Sequence, residues 1–184
     1  MTDLPADAGP VLTSLARAAI AQALGLPGTT PPGADWLHQP GAAFVTLTQS
    51  GALRGCIGSL TAYRPLVEDV TANAVSAARR DPRFPPLSAD ELPRTQVEVS
   101  VLSAPEPYPV SSEQDARDRL RPGIDGVVLS FGRHRGTFLP QVWEQLPQPQ
   151  DFLNHLKRKA GLPSDWWDDA VRLERYTVTA FHES

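Results

Sequence analysis

Ala42-Ala43-Phe44-Val45-Thr46-Leu47-Thr48, the interval Gln49-Ser50-Gly51, and Leu53-Arg54-Gly55-Cys56-Ile57-Gly58-Ser59-Leu60 form the stretch that decides the class of fold. Its first half is β-branched and aromatic, which predicts a strand, and the turn-like interval makes the second half its hairpin partner. A second hairpin is predicted downstream, where 126–131 and 136–139 flank Gly132-Arg133-His134-Arg135. Strict alternation over Val97-Glu98-Val99-Ser100-Val101 puts three valines on one face and Glu98 with Ser100 on the other, the pattern of a half-buried strand. Val171 to Phe181 reads as a terminal strand.

Between these strands lie helical signals. Val11, Leu12, Leu15, Ala19 and Ala23 recur at three- and four-residue spacing over 10–24, with Gly25 as C-cap. Pro65 opens a second helix whose buried stripe is Leu66, Val70, Ala74 and Ala77 and which Asp81-Pro82 terminates. Ser88 and Glu91 make a capping-box pattern, Ser112 caps a short helix to Leu120, and 150–160 ends at Gly161. Residues 25–41 carry too many prolines and glycines for either regular element, so a loop is expected there, pinned by Trp36. About six strands in hairpin pairs and four helices predict an α+β fold, an antiparallel sheet flanked by helices.

The chain has 184 residues, 41% of them apolar, and a single cysteine. A chain of this size buries roughly 70% of the surface its unfolded form exposes, enough to fold without disulfide or metal. One cysteine forms no internal disulfide, and the start lacks the basic and apolar regions of a signal peptide, so a cytoplasmic location is expected. No apolar run reaches the roughly 18 residues of a membrane span, so no membrane partner is expected. With 17 Lys and Arg against 21 Asp and Glu, a formal charge of −4 disfavours nucleic acid held by bulk charge, although Arg79, Arg80, Arg83 and the 133–135 tip leave room for a local basic patch.

Leu53 to Gly58 is unusual for a strand, because it holds two glycines, an arginine and the only cysteine. Glycine within a strand marks a bulge or a close approach of backbone or ligand, which makes Gly55 and Gly58 candidate substrate-binding positions. In an extended segment Arg54 and Cys56 share a face, and a guanidinium beside a thiol favours the nucleophilic thiolate. The alternative is a small buried thiol, with glycines that serve packing. Glu98, a carboxylate in an apolar strand, is a candidate general acid or base, or else a residue of the solvated face. Arg83 is placed to clamp a carboxylate or phosphate, or to serve as a surface ion-pair partner. The four histidines show no ligand spacing, so no metal site is expected, and no motif identifies a cofactor.

Leu53-Arg54-Gly55-Cys56-Ile57-Gly58 resembles the hallmark run of the AMMECR family, whose bacterial and archaeal members are called protein A of the AmmeMemoRadiSam system. The resemblance continues through Asp81-Pro82-Arg83-Phe84-Pro85-Pro86-Leu87, Val97 to Leu102, Gly136 to Val142 and Lys159-Ala160-Gly161-Leu162. It implies a single AMMECR-type domain over 1–184, with residues 1–9 expected to be disordered, and a two-lobed α+β fold with a smaller second lobe. It implies joint action with a Memo-like protein and a radical SAM protein, and a functional site at the hallmark run. Three functions follow as expectations: an enzyme or catalytic accessory using Cys56, Arg54 and Glu98, a scaffold for those partners, or, last, a nucleic-acid binder.

Overall fold

The computed structural model describes residues 4–31 and 33–183. It separates into two compact units, one running to Ser103 and resuming at Thr179, the other, smaller one comprising Ala104–Val178. The disorder expected over 1–9 lies for residues 1–3 outside the described residues, whereas Ala8 and Gly9 already belong to a helix.

In the first unit, β1 (Ala42–Gln49) and β2 (Ala52–Gly58) pair antiparallel around Ser50 and Gly51, both with positive φ as a two-residue type I′ hairpin requires. With β3 (Gln96–Leu102) and β8 (Val178–His182) they form a four-stranded sheet in the order β2-β1-β3-β8. Val45 and Leu47 of β1 and Val97, Val99 and Val101 of β3 are buried on one face. Against that face pack α1 (Ala8–Ala23) and α2 (Leu66–Arg79), through Leu12, Ile20, Leu66, Val70 and Ala74. The predicted glycine ends α1: Gly25 has φ +73°, its N–H bonds to the Gln22 carbonyl, and the Leu26 N–H reaches the Ala21 carbonyl, a Schellman cap. The proline-rich loop after it holds one turn of 3₁₀ helix, Asp35–His38, and Trp36 packs on the core as expected.

In the second unit, β5 (Gly126–Phe131) and β6 (His134–Phe138) form the other hairpin, with Gly132 and Arg133 as its turn. They join β7 (Arg172–Tyr176) and the two-residue β4 (Glu106–Pro107) in the order β4-β7-β5-β6. Ser112 caps α3 (Glu113–Arg119) by accepting the Asp115 N–H at 3.1 Å. α4 (Pro149–Lys159) buries Phe152, Leu153 and Leu156, with Phe152 stacked on Trp143 at 3.7 Å between ring centroids.

Two expectations are corrected. The single terminal strand over 171–181 is two strands, β7 and β8, which pair in different sheets because the ladder breaks at Thr177. The described residues hold eight strands instead of six, since β4 is too short and too proline-rich to announce itself. Among the described residues no helix is long and apolar enough to cross a membrane.

Candidate functional site

Both α-helices of the first unit cover the same face of its sheet, so the residues that alternate with the buried valines point to the opposite face. Register places Thr46 opposite Cys56 on one side and opposite Glu98 on the other. Directly opposed residues project to the same face. The Thr46 hydroxyl donates to Cys56 Sγ at 3.3 Å. Glu98 receives the Ser100 hydroxyl on Oε1 at 3.0 Å, and its Oε2 lies 3.2 Å from His182 Nδ1. Cys56, Thr46, Glu98 and His182 therefore form a row across the sheet, one residue from each strand. Two strand spacings, about 9 to 10 Å, separate the backbones of Cys56 and Glu98.

The hallmark run holds this row at the sheet edge. Leu47 pairs with Gly55 but Thr48 pairs with Leu53, so Arg54 is the extra residue of a β-bulge. Its guanidinium lies only 11% exposed and donates to both Glu91 oxygens at 3.0 and 3.1 Å and to the Pro85 carbonyl at 3.0 Å. Glu91 also accepts the Ser88 N–H at 2.9 Å, completing the contact of the capping box read from sequence. The Arg54 bond, foremost, and the Ser88 N–H hold the Glu91 carboxyl at about 2, against the opposing effect of burial.

The cation that reaches Cys56 is Arg83. As an outward-facing edge residue, Cys56 offers backbone groups that lack a strand partner: its N–H donates to Asp81 Oδ2 at 2.9 Å and its carbonyl accepts from Arg83 Nη2 at 3.2 Å. Arg83 and Asp81 are themselves paired at 2.7 Å. The Arg83 bond, foremost, holds the Asp81 carboxyl well below the usual carboxylate range, with the Cys56 N–H contributing. Asp81 raises Arg83 in turn. The Arg83 side chain remains 55% exposed beside its Asp81 partner.

The two glycines sit differently. Gly55 points to the helical face, where an added Cβ would lie 2.2 Å from the Ala77 carbonyl oxygen of α2. Gly58 lies under the Phe44 ring, again 2.2 Å from an added Cβ. His134 and His155 belong to the second unit, where their Nδ1 atoms contact the Ala160 and Asp151 carbonyls. Among the described residues no group of three or more His, Cys, Asp or Glu side chains is arranged to hold a metal. The sequence singled out Cys56 and Glu98, and the sheet sets Thr46 and His182, which it did not single out, beside them. Alternation within β1 carried a signal for Thr46, whereas nothing local places His182 beside Glu98.

The hallmark run, the Asp81-to-Leu87 loop docked on it and the β3 alternation occur together within a match to the AMMECR1 family model over residues 13–181. The chain belongs to the AMMECR1 family. A Methanothermobacter thermautotrophicus relative is 40% identical over 192 residues, which cover 98% of this chain and 96% of that one. A Thermotoga maritima protein is 43% identical over 141 residues, 76% of each chain. The crystal structure of the uncharacterized protein PH0010 from Pyrococcus horikoshii matches with a TM-score of 0.77 at 35% identity, covering 96% of this AMMECR1-family chain and 91% of that chain.

Proposed function

We propose that this AMMECR1-family protein is a cytoplasmic enzyme, or the catalytic accessory of one, that acts on a small molecule or modified residue together with Memo-like and radical SAM partners. The observation that carries the reading is the cross-strand row, which sets a thiol and a carboxylate on one face of the sheet. Cys56 serves as nucleophile, with the Thr46 hydroxyl donating to its sulfur at 3.3 Å. Glu98 is too far from the sulfur for direct proton transfer, which requires a separation of about 3 Å, so it exchanges protons with the substrate. Arg54 is a positioning residue, fixing the bulge through Glu91, and Asp81 and Arg83 fix the Cys56 backbone.

The test is a reconstituted mixture of the three proteins. Cys56→Ser and Glu98→Gln are expected to abolish its activity, and Arg54→Ala to reduce it in step with lost stability. Full activity in Cys56→Ser would overturn the reading.

A scaffold role is the second reading, favoured by the packing of Gly55 on Ala77 and the engagement of both Cys56 backbone groups. On that reading Cys56→Ala costs about 1 to 2 kcal/mol of stability and leaves complex formation intact, as sedimentation of the mixed proteins would register. Nucleic-acid binding ranks last, given the net charge of −4 and the Arg135–Glu174 contact of 3.8 Å beside the basic tip.

A further inference from the structure

Resting on the reading of Cys56 as a reactive thiol, we propose that the sheet face carrying Cys56 and Glu98 takes a ligand bearing an ammonium group, such as an amine or a lysine-type side chain, with Glu98 as the seat of the cation. The charges that flank Cys56 cancel in pairs: Arg54 against Glu91 at 3.0 Å, and Arg83 against Asp81 at 2.7 Å. Glu98 differs. Its ion-pair contact is His182, a side chain 70% exposed that carries charge only when protonated. Among the described residues, Thr46 across the ladder and Ser100 on its own strand also face it, and neither side chain carries a charge. With the His182 imidazole uncharged, the row presents the Glu98 carboxylate on one side and a thiol on the other. Glu98 is 27% exposed, open enough to be approached and covered enough for its charge to act over the row.

The geometry also sets how the ligand lies. The cation rests on Glu98, the chain of the ligand crosses Thr46 perpendicular to the strands, and the reacting atom reaches Cys56. An extended aminoalkyl group bridges this span. Phe44, two residues from Thr46 on the same face, lies beside Cys56 over Gly58 and offers an apolar wall to the neutral part of such a ligand.

Because Cys56 is the only cysteine, thiol labelling of the intact chain reads this site alone. The probes are 2-aminoethyl and 2-sulfonatoethyl methanethiosulfonate, one cationic and one anionic. With each, the Cys56 thiolate attacks the sulfenyl sulfur, forms a mixed disulfide and releases methanesulfinate. At pH 8 and low salt the cation-to-anion rate ratio, divided by the same ratio for 2-mercaptoethanol, is expected to be about four-fold or more, the effect of one unit charge near 10 Å.

Glu98→Gln removes the preference, while Glu68→Gln, the same charge change on α2 across the sheet, leaves it largely in place. His182→Arg, at an exposed position that the fold tolerates, removes it by setting a permanent cation beside Glu98, so the proposal does not depend on the folding of Glu98→Gln. An equal ratio in wild type and Glu98→Gln, or faster anionic labelling, overturns the cation seat and leaves the reactive thiol standing. Failure of both probes to label the folded protein overturns the reactive thiol and the proposal together.

Discussion

Arg54 and Glu91 form a two-point ion pair in which Nε and Nη2 bind separate carboxylate oxygens, although Glu91 is also the residue that caps its own helical turn. The hallmark run is thereby tied to the 3₁₀ segment Ala89–Arg94 by one carboxylate with several donors, Gln49 among them at 3.3 Å. Both partners are mostly buried, so removing either leaves a charge without its counterion. Arg54→Ala and Glu91→Gln are each expected to lower stability by about 2 kcal/mol, read as a shift in the urea midpoint at unchanged slope. The double variant should cost less than the sum of the two.

The same carboxylates predict acid sensitivity. Glu91, held at about 2, and Asp81, held lower still, have folded values below their unfolded ones of 4.5 and 3.8. Their contribution to stability is therefore complete above the unfolded values and is lost as the pH falls toward the folded ones. Stability should be flat for these groups from pH 7 to about 5 and decline from about 4.5 to 2. In Glu91→Gln the decline should be shallower, and urea midpoints measured across that range decide it.

Three glycines should respond to alanine for different reasons. Gly55→Ala drives a Cβ to 2.2 Å from a backbone oxygen of α2, which nothing short of moving the helix relieves, and a loss of about 3 kcal/mol or failure to fold is expected. Gly51→Ala meets no atom within 4 Å but has φ +77°, so about 1 kcal/mol is expected. Gly58→Ala collides with a ring and not with backbone, and Phe44→Ala in the same chain should recover part of the loss.

Thr46 tests the thiol directly. Thr46→Val keeps the shape of the side chain and removes the hydroxyl that donates to Cys56 Sγ. A hydrogen bond that orients the sulfur is thereby lost, so iodoacetamide alkylation of the folded protein at pH 7 should change in rate about three-fold, and an unchanged rate would show that the hydroxyl does not act on the thiol.

Much of the fold was legible because its signals are local. Gly25 and Gly161 mark helix ends that are Schellman caps, Ser112 caps α3 as read, and the alternation in β3 puts Val97 and Val99 in the core with Glu98 on the opposite face. The break at Thr177 escaped notice because the residues on either side favour extended structure equally well. Only their pairing partners assign β7 and β8 to different sheets.

By itself the sequence determined the α+β class, the hairpins, the family resemblance and the prominence of Cys56 and Glu98, since composition, period and turn chemistry act over a few residues. Tertiary structure alone decided which groups meet. Arg54, two residues from Cys56, turns to Glu91, whereas Arg83, distant in sequence, bonds the Cys56 backbone. His182 reaches Glu98 across most of the second half of the chain. The physical reason is that electrostatic and hydrogen-bond partners are set by sheet register and loop docking, which depend on the packing of the whole unit and leave no periodicity in the sequence of any one strand.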